Sequence, residues 1–171
     1  MTINSNPHTQ NVVMVSNVFI RKDGKYILSK RSMDKKYAPG FYQAFGGKLE
    51  EGENPYIGAI REIKEELGIA IKNVRLEAVV FEVKPDPKLD LNWLIFYFTA
   101  DYDEGELIDT DEAETVILSK DEVINSNLFP SVKNIIKHIL NPTDGVVFTT
   151  NTYTGFESGL KEISRNVCVI D

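Results

Sequence analysis

Residues 47–69 read GKLEEGENPYIGAIREIKEELGI, and this segment gives the strongest indication of the fold. Within it Glu62, Glu65 and Glu66 stand at positions i, i+3 and i+4, which places three carboxylates on one face of a helix. Like charges at this spacing destabilise an isolated helix by about 0.2–0.5 kcal/mol per pair unless cations sit among them. The pattern therefore predicts a divalent metal site.

The ends of this helix follow from residues that favour helix boundaries. Asn54 is a suitable N-cap residue and Pro55 suits the first helical position. Gly68 favours the left-handed conformation that ends many helices. The sequence predicts a helix from Pro55 to Leu67.

The remaining residues of the helix indicate how it packs. An apolar stripe at helical spacing consists of Tyr56, Ile60, Ile63 and Leu67. We expect the glutamates to face away from this stripe, outward from the core. Gly58 falls on the acidic side, and a glycine inside a helix costs about 1 kcal/mol relative to alanine. We expect another piece of backbone, the Gly46–Gly47 turn, to lie close to it.

The segment resembles the signature of the Nudix hydrolase family at every fixed position of that signature. The matching residues are Gly47, Glu53, Arg61-Glu62, Ile63, Glu65-Glu66 and Gly68-Ile69. The resemblance implies an α/β fold, an α/β/α sandwich around a mixed β-sheet. It also implies hydrolysis of a nucleoside diphosphate linked to another group, assisted by Mg²⁺ or Mn²⁺.

The resemblance assigns a metal-binding role to the three helix glutamates. Glu62, Glu65 and Glu66 would bind the metal, with the Gly47 carbonyl as a further oxygen ligand. Hard oxygen donors of this kind suit Mg²⁺.

Two further residues of the signature would orient these acids. By the same resemblance, Glu53 and Arg61 lock the preceding loop to the helix, and the guanidinium keeps nearby carboxylates ionised. The alternative interpretation is an ordinary surface ion pair.

One carboxylate must also take the proton of the attacking water. The family supplies it either from the helix or from a later loop, and here the loop candidate is Glu112 in the acidic segment DTDEAE, residues 109–114. The sequence leaves the choice open. The predicted catalytic residues are Glu53, Arg61, Glu62, Glu65 and Glu112.

Four residues are candidates for binding the nucleotide. Phe45 and Trp93 offer aromatic faces on which a base could stack, and Arg31 and Lys48 offer cations for phosphates. Each of the four has an alternative interpretation as an ordinary core or surface residue.

The substrate class is the least determined part of the prediction. The phrase FGGKLEEGE resembles the MutT-like nucleoside triphosphate pyrophosphohydrolases that sanitise nucleotide pools, which release a nucleoside monophosphate and pyrophosphate. The alternative enzyme is an ADP-ribose or nucleotide-sugar pyrophosphatase, a subgroup with a proline shortly after the signature, here Pro85. A non-catalytic Nudix-like nucleotide sensor is an alternative of another class, although the complete glutamate set argues against it.

Composition limits the partners. The 171 residues carry a net charge of −7, which gives no basic surface for a long nucleic acid. The apolar run from Val12 to Ile20 is interrupted by Ser16 and Asn17, so we expect no membrane partner. A single cysteine, Cys168, fits a reducing cytoplasm. A small nucleotide remains as the partner, with the protein either a monomer or a homodimer.

The chain divides into three predicted parts. Residues 1–10 form a polar leader, 11–140 the hydrolase domain, and 141–171 a β-rich extension packed on the domain or on a partner subunit. Strands are predicted at 11–20, 25–31, 74–83 and 93–101. Ser119 with Glu122 predicts a capping box, and 131–140 a helix. His8 and His138 look incidental.

Overall fold

The computed structural model describes residues 10–34, 38–86, 88–108, 113–154 and 161–170, with the backbone alone for 153–154 and 161–169. The helices are α1 (Pro55–Leu67), α2 (Lys120–Asn125) and α3 (Pro130–Leu140). The strands are β1 (Val12–Lys22), β2 (Lys25–Arg31), β3 (Tyr42–Gln43), β4 (Phe45–Lys48), β5 (Ala70–Val83), β6 (Asn92–Glu104), β7 (Ala113–Leu118), β8 (Val146–Thr154) and β9 (Lys161–Ile170).

The strands form one mixed sheet. Its main path runs β3-β2-β1-β6-β5-β8-β9, with β4 paired to β1 and β7 paired to β2. Strand β1 is parallel to β6 and antiparallel to β2 and β4. The predicted mixed α/β sheet is confirmed.

Alternate residues of β1 enter two separate hydrophobic cores. Val13, Val15 and Phe19 pack in the core that contains the apolar residues of α2 and α3. Val18 and Ile20 pack instead with Ile63 and Leu67 of α1 and with Phe45. Because successive side chains of a strand point to opposite faces, α1 covers one face of the sheet and α3 the other. This is the expected sandwich.

The predicted elements are confirmed, with differences at their ends. Asp23 and Gly24 both have positive φ, 50° and 76°, as a tight turn between β1 and β2 requires. Strand β5 begins at Ala70, before the predicted residue 74. Near the start of β5, Lys72 and Asn73 are both exposed and polar, and the register with β6 is irregular there. The sequence therefore lacks the alternation of apolar and polar residues that indicates a strand. Among the described helices, none has the length and apolar character needed to cross a membrane.

Residues 141–171, predicted as an extension, contribute β8 and β9. Strand β8 pairs in parallel with β5, and β9 pairs antiparallel with β8. Both strands therefore lengthen the central sheet at its β5 edge.

His138 has a partner that the sequence did not indicate. Its Nε2 lies 3.3 Å from Oε2 of Glu77, a fully buried carboxylate on β5. The hydroxyl of Thr99 donates to the other Glu77 oxygen at 2.7 Å, and Arg75 Nε lies 3.7 Å away. The expectation that His138 is incidental is wrong, because the partner comes from a strand distant in sequence.

Candidate active site

Helix α1 is fixed by local signals at both ends. The Asn54 side chain accepts hydrogen bonds from the backbone N–H groups of Tyr56 and Ile57, both at 3.1 Å. Gly68 ends the helix in the left-handed conformation with φ 71°, and its N–H donates to the Lys64 carbonyl. The predicted bounds, Pro55 to Leu67, are confirmed.

Strand β4 reaches α1 through two glycines that leave no room for side chains. Gly46 has φ 142°, and a Cβ there would lie 2.0 Å from the backbone oxygen of Ser16. A Cβ on Gly47 would lie 2.5 Å from the carboxyl carbon of Glu62. The Gly46 N–H donates to Glu66 Oε2 at 3.0 Å. The glycine pair thus brings β4 backbone directly onto two of the helix glutamates.

Arg61 joins the remaining acids of the segment. Its Nε and Nη2 donate to the two oxygens of Glu53, both at 2.9 Å, a bidentate pair. Its Nη1 lies 2.9 Å from Glu62 Oε1 and 2.9 Å from Glu65 Oε2. Nη2 also donates to the Lys48 carbonyl at 3.1 Å. One guanidinium therefore ties three glutamates to the end of β4.

These contacts set the protonation of the pair. The hydrogen bonds from Arg61, followed by the one from the Glu50 N–H, lower the pKa of Glu53 to about 2. The Glu53 carboxylate in turn raises the pKa of Arg61 above its ordinary value. Both groups are charged at neutral pH, which fits an orienting role better than a proton-transfer role for Glu53.

The acids do not all face outward as the helical wheel predicted. The Glu53 and Glu62 side chains are only 10% and 14% exposed, whereas Glu65 is 59% exposed. Tyr56, expected in the apolar stripe, is half exposed. The helical-wheel prediction considered α1 alone. In the structure β4 packs on the acidic face of α1 and covers Glu62.

Gly58 also has neighbours other than those expected. A Cβ there would lie 2.4 Å from a methyl carbon of Leu49 and 2.9 Å from a Glu53 oxygen. The loop side chains before α1, and not the Gly46–Gly47 turn, require this glycine. The Gly46–Gly47 backbone instead approaches α1 at Glu62, four residues after Gly58.

The donor set fits a hard divalent cation in its chemistry. Among the described residues no three acidic, histidine or cysteine side chains converge as a ligand set, and the Arg61 guanidinium contacts both Glu62 and Glu65. However, Glu62 Oε1 and Glu65 Oε2 each lie 2.9 Å from Arg61 Nη1, so the two oxygens are separated by at most twice that distance. The Gly46–Gly47 backbone meets Glu62 and Glu66 beside them. A cation held here would compete with Arg61 for carboxylate oxygens that are already assembled.

A cleft of about 320 Å³ opens on the α3 face of the sheet. Arg31, Lys48 and Trp93 line it, together with Gly46 and Gly47. The glycines therefore border both the cleft and the acidic face of α1. The structure brings three of the four predicted nucleotide-binding residues to one cavity.

Phe45 is the exception among these four. It pairs with Val18 in the β1–β4 register, is only 4% exposed, and packs in the core beneath α1. The expectation that Phe45 offers a face to a base is wrong, because alternation along β4 turns its ring away from the cleft. Glu112, the loop candidate for the proton acceptor, lies outside the described residues.

The interior of the cleft also carries polar side chains that are not among these four candidates. Tyr97 is buried there, and the side chains of Asn17 and Ser131 form hydrogen bonds with it. Burial, and then the negative charge of Glu82, raise the pKa of Tyr97. Gln43 and Phe129 complete the walls. Two signals were available: Asn17 interrupts the apolar run of β1, and Glu82 stands at a buried position in the otherwise apolar VVFEV.

Comparison with known proteins agrees with this architecture. The model of the NUDIX domain matches residues 10–139. The Nudix hydrolase YvcI of Bacillus subtilis is 30% identical over 82% of this chain and 86% of its own length. An 8-oxo-dGTP diphosphatase of Proteus vulgaris is 29% identical over 48% of this chain and 72% of its own length.

A solved structure extends the similarity to nearly the whole chain. The MutT protein of Bacillus halodurans superposes with a TM-score of 0.77 and 27% identity, covering 91% of this chain and 97% of its own.

Proposed function

Because this chain belongs to the Nudix hydrolase family and is a hydrolase of pyrophosphate bonds, we propose that its substrate is a nucleoside triphosphate. The products would be a nucleoside monophosphate and pyrophosphate. The 8-oxo-dGTP diphosphatase of P. vulgaris, which the chain resembles, supports a triphosphate substrate.

The observation that carries the proposal is the position of the Gly46–Gly47 backbone. It separates the acidic face of α1 from the cleft, so a nucleotide in the cleft would direct its phosphates toward the glutamates. Lys48 and Arg31 stand in the cleft wall as cations for those phosphates, and Trp93 offers an aromatic surface for the base. These residues support the proposal because each part of a nucleotide would meet a group of matching chemistry.

Glu62, Glu65, Glu66 and the Gly47 carbonyl are the groups that would hold Mg²⁺ or Mn²⁺. When bound, the cation supplies charge neutralisation on the phosphates and acidifies the attacking water. Arg61 and Glu53 keep the helix glutamates oriented and ionised. In the hydrolysis the water oxygen bonds to phosphorus, the bridging P–O bond breaks, and pyrophosphate leaves.

We assign the water proton to Glu65. It is the most exposed of the three acids that contact Arg61, so solvent reaches its carboxylate. Glu112 is the competing acceptor, since it stands in an acidic segment of the chain. Comparing the pH profiles of kcat for Glu65→Gln and Glu112→Gln tests this assignment. The variant that loses the acidic limb of the profile identifies the acceptor.

The substrate class is tested by direct comparison of dGTP with ADP-ribose in the presence of Mg²⁺. A triphosphate hydrolase should give a kcat/KM for dGTP at least about tenfold above that for ADP-ribose, a difference of only about 1.4 kcal/mol. If ADP-ribose is instead cleaved to AMP and ribose 5-phosphate at the higher kcat/KM, the protein is an ADP-ribose pyrophosphatase. Pro85 would then be the proline that marks that subgroup.

A further inference from the structure

We propose that Glu82 determines base specificity, its carboxylate accepting hydrogen bonds from the adjacent N–H and NH₂ groups of a guanine-type base. The inference rests on the proposed function, since it concerns the nucleotide held in the same cleft. It deepens that function by naming the base.

Register places Glu82 on the α3 face of the sheet, where it lines the cleft. Glu82 pairs with Trp93, which in turn pairs with Val13, and these side chains share the α3 face of the sheet. Glu82 is 8% exposed, so its carboxylate is almost entirely removed from water. The cleft beside it is lined by Trp93 and Tyr97.

A buried carboxylate is costly unless strong donors surround it. A carboxylate has about four acceptor positions on two oxygens, so a partner within the protein leaves capacity for a ligand. Burial, and then the negative charge of Glu82, raise the pKa of Tyr97, which lines the same cleft. A carboxylate that lines the cleft favours hydrogen-bond donors and disfavours acceptors.

Strand order separates the charges that line the cleft, because β2 and β4 pair directly with β1 whereas β5 lies beyond β6 on the other side. Arg31 and Lys48 provide positive groups in its wall, whereas Glu82 provides a negative one. Phosphates are repelled by Glu82 and attracted by the cations, which orients the nucleotide with its base toward Glu82. The base then contacts the carboxylate through its polar edge.

Guanine matches this carboxylate better than the other bases do. It presents an N–H and an NH₂ group side by side, so each carboxylate oxygen accepts one hydrogen bond. Adenine presents one NH₂ group beside a ring nitrogen acceptor, and that lone pair would face the carboxylate. Since sites built for a donor reject analogues that lack it, the fit gives strong discrimination. The 8-oxo form of guanine retains the same edge.

Binding of GMP, IMP and AMP to the metal-free protein tests the inference without turnover. Trp93 is the single tryptophan of the chain and lines the cleft, so its fluorescence reports binding. IMP lacks only the NH₂ group that guanine carries. The wild-type protein should bind GMP at least about tenfold more tightly than IMP or AMP, the effect of one charge-assisted hydrogen bond.

Glu82→Gln should change the order of these affinities. The amide offers one acceptor and one donor, so GMP binding should weaken at least about tenfold while AMP binding holds or improves. Glu82→Asp keeps the charge and should keep the preference for GMP, which guards against a misfolded glutamine variant. Glu104→Gln, an exposed glutamate at the far end of β6, is the matched control and should leave all three affinities unchanged.

An unchanged ratio of GMP to IMP affinity in Glu82→Gln would overturn the assignment, as would an equal loss for all three nucleotides. Failure of the proposed function gives a different result. In that case the GMP preference depends on Glu82, yet dGTP with Mg²⁺ is not hydrolysed.

Discussion

The two faces of the sheet assemble their charged groups in different ways. On the α1 face, Arg61 binds three glutamates from residues 53–65, all close in sequence and partly open to water. On the α3 face, the cleft gathers polar groups from separate elements, including Asn17 of β1, Glu82 of β5 and Ser131 of α3. We propose that the first face binds the cation and the phosphates and that the second recognises the base.

Two buried glutamates of β5, Glu77 and Glu82, differ in whether they line the cleft. Glu77 is fully buried, accepts a hydrogen bond from Thr99, and lies 3.3 Å from His138 of α3 without a hydrogen bond between those two side chains. Glu82 is also buried but lines the cleft. We infer a structural role for Glu77 and propose a ligand-binding role for Glu82, because only Glu82 lines the cleft.

The largest effect is expected on the α1 face. Glu65→Gln keeps the size of the side chain but removes the charge that a hard cation needs, so kcat should fall by at least about a hundredfold. Thermal stability without metal should stay nearly unchanged, because the relieved repulsion among the acids offsets the lost pair between Glu65 and Arg61. Glu51→Gln, exposed in the preceding loop, is the control. Near-normal turnover of Glu65→Gln at limiting Mg²⁺ would remove this residue from the metal site.

Breaking the buried pair on β5 should affect stability and leave chemistry intact. His138→Leu removes the imidazole beside the buried Glu77 carboxyl group and should lower the free energy of unfolding by about 2 kcal/mol, measured with urea, because a buried polar group loses its polar neighbour. The double variant Glu77→Leu with His138→Leu should recover much of that loss. Equal destabilisation of the single and double variants would show that packing, and not charge, dominates at this position.

The glycine between the two faces provides a smaller test. Gly46→Ala places a Cβ against the Ser16 backbone oxygen, which cannot easily move, and should cost about 2 kcal/mol with a loss of activity. Gly52→Ala has φ 80° but no atom within 4 Å, so it should cost only about 1 kcal/mol and keep activity. Equal effects in thermal unfolding would contradict the close approach of β4 to β1.

The smallest effect concerns pH. The pKa of Glu53 falls from its ordinary value near 4.3 to about 2 on folding, so its contribution to stability is present above pH 4.3 and is lost as pH falls toward 2. Arg61→Gln removes the main cause and should move acid unfolding, followed by circular dichroism in a chelator, to higher pH. Lys84→Gln, which breaks an exposed pair with Asp90, should leave the midpoint unchanged. A shift of the same size in both variants would contradict the role of Arg61.

The sequence predicted the α1 face well because its residues are neighbours along the chain. Asn54, Pro55 and Gly68 marked the helix, and the spacing of Glu62, Glu65 and Glu66 marked the acidic face. The sequence did not predict that β4 covers the acidic face of α1, since the position of β4 depends on its pairing with β1.

The cleft could not be predicted to the same depth. Arg31, Lys48 and Trp93 were found by residue type, but type alone also selected Phe45, which register turns into the core. Glu82 meets Trp93 only through the β5–β6 register, and His138 meets Glu77 only because α3 packs on β5. Contacts between distant residues need the topology of the sheet.

The central claim is that the acidic face of α1 and the cleft act together on one nucleotide. Incubation of dGTP with the protein, followed by ³¹P NMR with and without Mg²⁺, tests it most directly. Our account predicts dGMP and pyrophosphate in the presence of Mg²⁺ and intact dGTP in a chelator. Persistence of dGTP at every Mg²⁺ or Mn²⁺ concentration, with Trp93 fluorescence still reporting nucleotide binding, would contradict it and indicate a nucleotide sensor.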